Sequence, residues 1–227
     1  MKQKFTILFD LDGTLVDTAP DLMLAHNHVM KKFGYPTKST EDIRNLVGKG
    51  AGALIGRSIW GQAKKEFSKV LDEKIKDDMV KEFINFYGKN IINKSTLING
   101  VKEFLKWCKE QNISMAVCTN KQERLSNDLL KKIGIYDFFE YVAGSDTFDY
   151  CKPDPRHLTN VVEILDGDIK RTIMIGDSEN DANAAKAAEI PVILLENGYT
   201  EKNTTEIYHN HLIKDFIGIE KIITKYL

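Results

Sequence analysis

Two aspartates two positions apart, Asp10 and Asp12, end the apolar run Phe5 to Phe9 and are followed by Gly13, Thr14, Leu15, Val16 and Asp17. In an extended segment, side chains at i and i+2 leave the same face, so both carboxylates would point into one small volume. Like charges that close repel, and they are tolerated with a cation between them or a shared proton. The segment therefore reads as a metal-dependent site with one nucleophile and one acid/base. The plainer alternative is an Asp- and Gly-rich turn that only ends a strand. An idle turn, however, has no need of three aspartates within eight positions.

Such groups need a scaffold, and the apolar runs predict one. Phe5 to Phe9, Ile113 to Val117, Thr172 to Ile175 and Pro191 to Leu195 are short and nearly continuous, with Tyr141 to Ala143 a shorter companion. Runs of this kind mark strands buried on both faces, as in a parallel sheet covered by helices. Amphipathic stretches alternate with them: Val101 to Gln111, Glu123 to Ile133, His157 to Leu165 and Asp181 to Ala188. The alternation predicts an α/β fold, a doubly wound parallel-sheet (Rossmann-like) core with right-handed crossovers.

From Pro20 to about Asn93 the rhythm breaks, with helical periodicity and no strand pattern. One stripe is Leu22, Ala25, Val29 and Phe33; another is Val80, Phe83, Ile84 and Tyr87. A helical block of about 75 residues between the first strand and the next core element reads as an inserted all-helical cap subdomain. The expected division is 1–15 and 93–227 for the core and 16–92 for the cap, with hinges at Pro20 and Asn93-Lys94-Ser95. Near the C-terminus, Leu212-Ile213 is expected to form a last short strand and Phe216 to Ile223 a closing helix.

In open parallel sheets, ligands bind outside the carboxyl ends of the strands. Polar residues stand at those places: Thr119, Asn120 and Lys121; then Lys152-Pro153-Asp154-Pro155; then Asp177-Ser178-Glu179-Asn180-Asp181. Each has a structural alternative. Thr119 or Asn120 could cap the following helix. Lys152 could be solvated, although Asp154 as N-cap and Pro155 at N1 imply a held backbone. Ser178 and Asp181 spell a Ser-x-x-Asp capping box.

Lysine and arginine total 32 against 33 acidic residues, a net charge of -1, so nothing draws the chain to nucleic acid or an anionic membrane. No apolar run approaches the ~18 to 20 residues that span a bilayer. Met1-Lys2-Gln3-Lys4 leads straight into the first strand, a poor signal peptide. Cys108, Cys118 and Cys151 are odd in number and widely spaced, which argues against a disulfide framework or a zinc site. A cytoplasmic monomer or homodimer is expected. His209 and His211, without a third ligand, are read as surface residues.

Asp10 to Asp17 resembles the first motif of the haloacid dehalogenase superfamily, Asp-x-Asp-Gly-Thr-Leu-x-Asp, at every defined position. Thr119, Lys152 and the acidic pair Asp177 and Asp181 resemble its second, third and fourth motifs, in order. The resemblance implies phosphoryl transfer with Asp10 as nucleophile and Asp12 as acid/base. Lys152 and Thr119 would stabilise the transferring group. It also implies Mg²⁺ held by the Asp10 side chain, the Asp12 backbone carbonyl and Asp177, with Asp181 orienting Lys152. A cap over such a site is expected to open and close, excluding water and then admitting it.

Within the superfamily, Asp12 points away from the dehalogenases, which lack an acid/base aspartate there. The position where sugar phosphomutases carry a cap histidine is Leu22. Val16 to Leu22, Leu46 to Ala51 and Thr119-Asn120-Lys121 look like the phosphoglycolate phosphatase branch. The implied substrate is a small phosphorylated metabolite, foremost 2-phosphoglycolate, with pyrophosphate, a nucleotide or a sugar phosphate as alternatives. A mutase or a catalytically silent binding module is disfavoured. Thr119 and Asn120 are candidate substrate contacts. So are Lys49 and Gly50, whose Gly-Lys-Gly turn opens a helix with free amides, unless that lysine is merely solvated. Arg57 is a weaker candidate of the same kind.

Overall fold

A computed structural model describes residues 4–66, 73–200 and 202–227. Met1 to Gln3 and positions 67–72 of the expected helical block lie outside the described residues. Six strands form one sheet: β1 (Thr6–Phe9), β4 (Ser114–Cys118), β5 (Tyr141–Ala143), β6 (Thr172–Gly176), β7 (Val192–Leu195) and β8 (His211–Ile213). Their order is β5-β4-β1-β6-β7-β8, and every neighbouring pair is parallel. This is the α/β arrangement that the alternating runs predict.

The period-2 rule explains how one strand serves two cores. Ile7 and Phe9 pack on one face with Phe104, Leu105, Leu129 and Phe216, whereas Leu8 packs on the other with Leu158, Val161, Ala182 and Ala185. Thus α5 (Val101–Glu110), α6 (Glu123–Ile133) and α9 (Glu220–Ile223) cover the first face, while α7 (Arg156–Ile164) and α8 (Glu179–Ala187) cover the second. The closing helix is shorter than expected, because Phe216 is buried ahead of it and Gly218 has a positive φ of 78°.

Between β1 and β4 the chain leaves the sheet through β2 (Val16–Asp17). It then forms α1 (Ala19–Phe33), α2 (Thr40–Arg44), α3 (Gly50–Glu66) and α4 (Glu73–Lys89) before returning through β3 (Thr96–Leu97). Both expected stripes face inward: Leu22, Ala25, Val29, Phe83 and Tyr87 are buried, with Phe33, Val80 and Ile84 packed against them. Of the expected hinge segments, Pro20 is helical and Asn93-Lys94-Ser95 leads directly into β3. Pro20 lies in the first turn of α1, where its missing N–H costs nothing. The outgoing and returning chains pair antiparallel, Val16 with Leu97 and Asp17 with Thr96. Buried Asp21 ties them further, accepting from the Lys94 and Ser95 amides and the Ser95 hydroxyl at 2.7 to 3.0 Å.

Register brings the strand ends level. Phe9 lies opposite both Val117 and Ile175, so Asp10, Thr119 and Asp177 all emerge at one edge of the sheet. No helix among the described residues is long and apolar enough to cross a membrane.

Candidate active site

Asp10 and Asp12 follow the end of β1 at Phe9 and precede the turn that begins at Gly13; the Asp10 amide still donates to the Ile175 carbonyl at 2.9 Å, and Asp12 bridges to Val16. They line the same cavity, of about 290 Å³, and each has its own cation. Lys152 Nζ lies 2.9 Å from Asp10 Oδ1, and Lys121 Nζ donates to both Asp12 oxygens at 2.7 and 2.8 Å. The two lysines each offset part of the like-charge repulsion. Thr18 Oγ1 gives Asp12 a further hydrogen bond of 2.7 Å.

Asp10 instead groups with Asp177 and Asp181, which come from the loop after β6 and the first turn of α8. One carboxylate oxygen of each lies within 4.8 Å of the others, and all three residues are buried. Burial pushes the Asp10 carboxyl up to about 6; Lys152 pulls it down, while Asp181 and Asp12 push it up. Burial, then Asp10 and Asp181, raise Asp177 well above the ordinary carboxylate range. Asp10 Oδ1 has the Lys152 ammonium 2.9 Å away and no other partner among the described residues. Three crowded hard oxygen donors, one under-satisfied, fit a small divalent cation such as Mg²⁺.

Asp177 is held from two sides, by Thr14 Oγ1 at 2.9 Å and the Tyr199 amide at 2.6 Å. That approach requires glycine at two places. Gly13 has φ 84°, and a Cβ there would stand 2.3 Å from Asp177 Oδ2; one at Gly198 would stand 2.0 Å from the Asp177 carbonyl oxygen.

Asp181 does two things at once. Its Oδ2 completes the capping box of α8 with Ser178, and its Oδ1 meets Lys152 Nζ at 2.5 Å. Burial alone would lower the Lys152 pKa, but Asp10 and Asp181 raise it above the ordinary lysine value, so the ammonium stays charged. The backbone at Lys152 is held by the Asn120 amide, 2.9 Å from its carbonyl. The helix cap after Lys152 falls at Pro155, one residue later than expected; Asp154 Oδ1 still accepts from the Arg156 amide at 2.9 Å.

Thr119 and Asn120 are buried and line the cavity, and neither caps α6, whose N-cap is Gln122. The Gly48-Lys49-Gly50 turn closes another wall. Asn120 Nδ2 and Asn180 Nδ2 donate to the Gly48 carbonyl at 3.1 and 2.9 Å, docking the insert on the strand-end loops. Lys49 is exposed at the rim, and Gly50 begins α3 with φ 81°. Arg57 donates to the carbonyls of Leu46 and Asn45 and is not part of this cavity's lining. His209 and His211 are partly exposed and bonded to the Ile207 carbonyl and the Tyr226 hydroxyl.

Lys121, Thr18, Tyr199, Asn180 and Tyr87 also enter the site, although none was assigned a role there from sequence. Lys121 and Tyr199 had a signal, because both follow strand carboxyl ends; the rule applied to β7 points to the loop holding Tyr199. Asn180 was visible only as part of a polar run, and Tyr87 only as part of an apolar stripe.

The chain belongs to the haloacid dehalogenase-like hydrolases, whose family model matches residues 7–195. Its similarity to individual proteins runs over nearly the whole length. A phosphoglycolate phosphatase of Mesorhizobium japonicum is 38% identical over 210 residues, covering 92% of this chain and 90% of that protein. One from Caulobacter vibrioides is 39% identical over 216 residues, covering 95% and 89%. A crystal structure from Haemophilus somnus, described as a predicted phosphoglycolate phosphatase, matches with a TM-score of 0.90 at 32% identity, covering 98% of this chain and 99% of that one.

Proposed function

We propose that this hydrolase is a Mg²⁺-dependent phosphatase for 2-phosphoglycolate, working through an aspartyl phosphate on Asp10. The carrying observation is the buried carboxylate beside a charged lysine, opening into a cavity of about 290 Å³ that holds a second aspartate. Similarity to phosphoglycolate phosphatases over about nine-tenths of the chain supports the substrate.

Asp10 attacks phosphorus and the ester bond breaks, leaving phosphate on the carboxylate. Asp12 gives its proton to the departing oxygen, then takes one from the water that hydrolyses the acyl phosphate. Lys152, held by Asp181, and the Thr119 hydroxyl stabilise the charge on the transferring oxygens. Mg²⁺, held by the Asp10 carboxylate, the Asp12 carbonyl and Asp177, would neutralise the remainder when bound. Residues 16–92 act as a cap over this core, and Lys49 and Gly50 draw the anion in at the rim.

The test is a panel of phosphate esters, with 2-phosphoglycolate, a nucleoside monophosphate and a hexose phosphate compared by kcat/KM, with Mg²⁺ and after chelation. Preference for 2-phosphoglycolate and loss of turnover on chelation are expected. Equal rates on all three, or activity that survives chelation, overturn the reading.

A further inference from the structure

Resting on that reading, we propose that Lys121 and Tyr87 form the subsite that recognises the carboxylate of the substrate. In phosphoglycolate the carboxylate is joined to the ester oxygen through a single methylene group. The group that protonates the ester oxygen and the cation that reads the carboxylate must therefore be close neighbours. Lys121 meets this requirement, with Nζ 2.7 Å from an oxygen of Asp12 and its side chain 5% exposed. Lys49 is exposed on the cavity rim, where solvent screens its charge.

The second observation comes from the insert. Tyr87, on α4, is 1% exposed and lines the same cavity, yet its hydroxyl has no hydrogen-bond partner. A buried, unpaired hydroxyl is costly unless something binds it. Burial, then Asp12 and Asp21, raise its pKa well above the ordinary value, so the oxygen keeps its proton and can donate to an anion. The Tyr87 ring also lies under the Lys121 ammonium, 4.5 Å from Nζ to centroid, an arrangement that holds the cation without using an acceptor.

The ammonium carries three donors. Without substrate two serve Asp12; an arriving carboxylate takes Lys121 over, and Asp12 keeps its bond from Thr18. One half of the subsite comes from the loop after β4 and the other from the insert, so carboxylate recognition requires the insert to be docked.

The experiment compares 2-phosphoglycolate with 2-hydroxyethyl phosphate, which differs only in carrying CH₂OH in place of the carboxylate. The readout is the ratio of their kcat/KM values, in which any general loss through Asp12 cancels. The unaltered protein should favour phosphoglycolate. Lys121→Met should lower the ratio at least about tenfold, the scale of a charge-assisted hydrogen bond. Tyr87→Phe, which removes one oxygen and keeps the ring, should lower it about threefold and serves alone if Lys121→Met does not fold. A ratio unchanged in the variants that fold overturns the subsite and leaves the phosphatase reading standing. If the unaltered protein shows no preference, the substrate reading fails and the subsite with it.

Discussion

Around Asp10 the polar groups are fixed from several directions, whereas the part of the insert that lines the cavity, from Gly48 to Tyr87, has few polar ties to the strand-end loops among the described residues. Asp181 engages Lys152 and the start of α8 together, and Asp177 is gripped by Thr14 and Tyr199. On the insert side, Asn120 and Asn180 converge on one carbonyl, that of Gly48, while Lys121 meets Tyr87 through its ring. Groups that carry out bond-making need fixed positions, and the ends of buried strands provide them. A wall that must admit and release a substrate is better built with few breakable bonds, which the helical insert supplies.

The sharpest way to break this contrast is Asp10→Asn. Turnover should fall on the order of 10⁴-fold while the circular-dichroism melt stays cooperative. Ordinary activity in that variant would remove Asp10 from the chemistry. Next is Lys152→Met, which leaves buried Asp10 and Asp181 without their shared cation. Breaking a buried pair of this kind costs about 3–5 kcal/mol, measurable by urea unfolding. A change near zero would mean that the cluster is looser than its geometry.

The metal sharpens the comparison through pH. The Asp10 carboxyl sits at about 6 when folded against 3.8 ordinarily, so the folded state binds more protons between those values. Stability of the metal-free protein therefore falls as pH rises through about 6, and the penalty is absent below 3.8. Mg²⁺ should accordingly raise the melting temperature more at pH 7.5 than at pH 5. An equal rise at both would separate metal binding from the Asp10 cluster.

On the insert side effects should be smaller. Asn180→Ala removes one of two bonds to Gly48 and should raise KM about threefold, with core stability little altered. Lys49→Ala should raise KM for phosphoglycolate only about twofold, as for an exposed charge, and less for an aryl phosphate. Equal shifts for both substrates would exclude Lys49 as an anion guide.

The parallel sheet, the order of its elements and the reactive groups at its strand ends were legible in the sequence. Apolar runs and helical stripes are local patterns, and charged residues placed just after them have few structural uses. Asp10 and Asp12 line one cavity, ahead of the turn that begins at Gly13, as the two-residue spacing suggested. The pairing of Val16–Asp17 with Thr96–Leu97 was not legible, because a two-residue antiparallel pair leaves no periodicity to detect.

By itself, the amino-acid sequence determined the alternation of strands and helices and which polar groups stand just after the strands. Only the tertiary structure decided which partner each group has. Lys121 lies 109 positions from Asp12, and Tyr199 lies 22 from Asp177. Such pairings depend on strand register and on how α4 lies over the loops. Both are set by packing summed over the whole core, which no local stretch of sequence records.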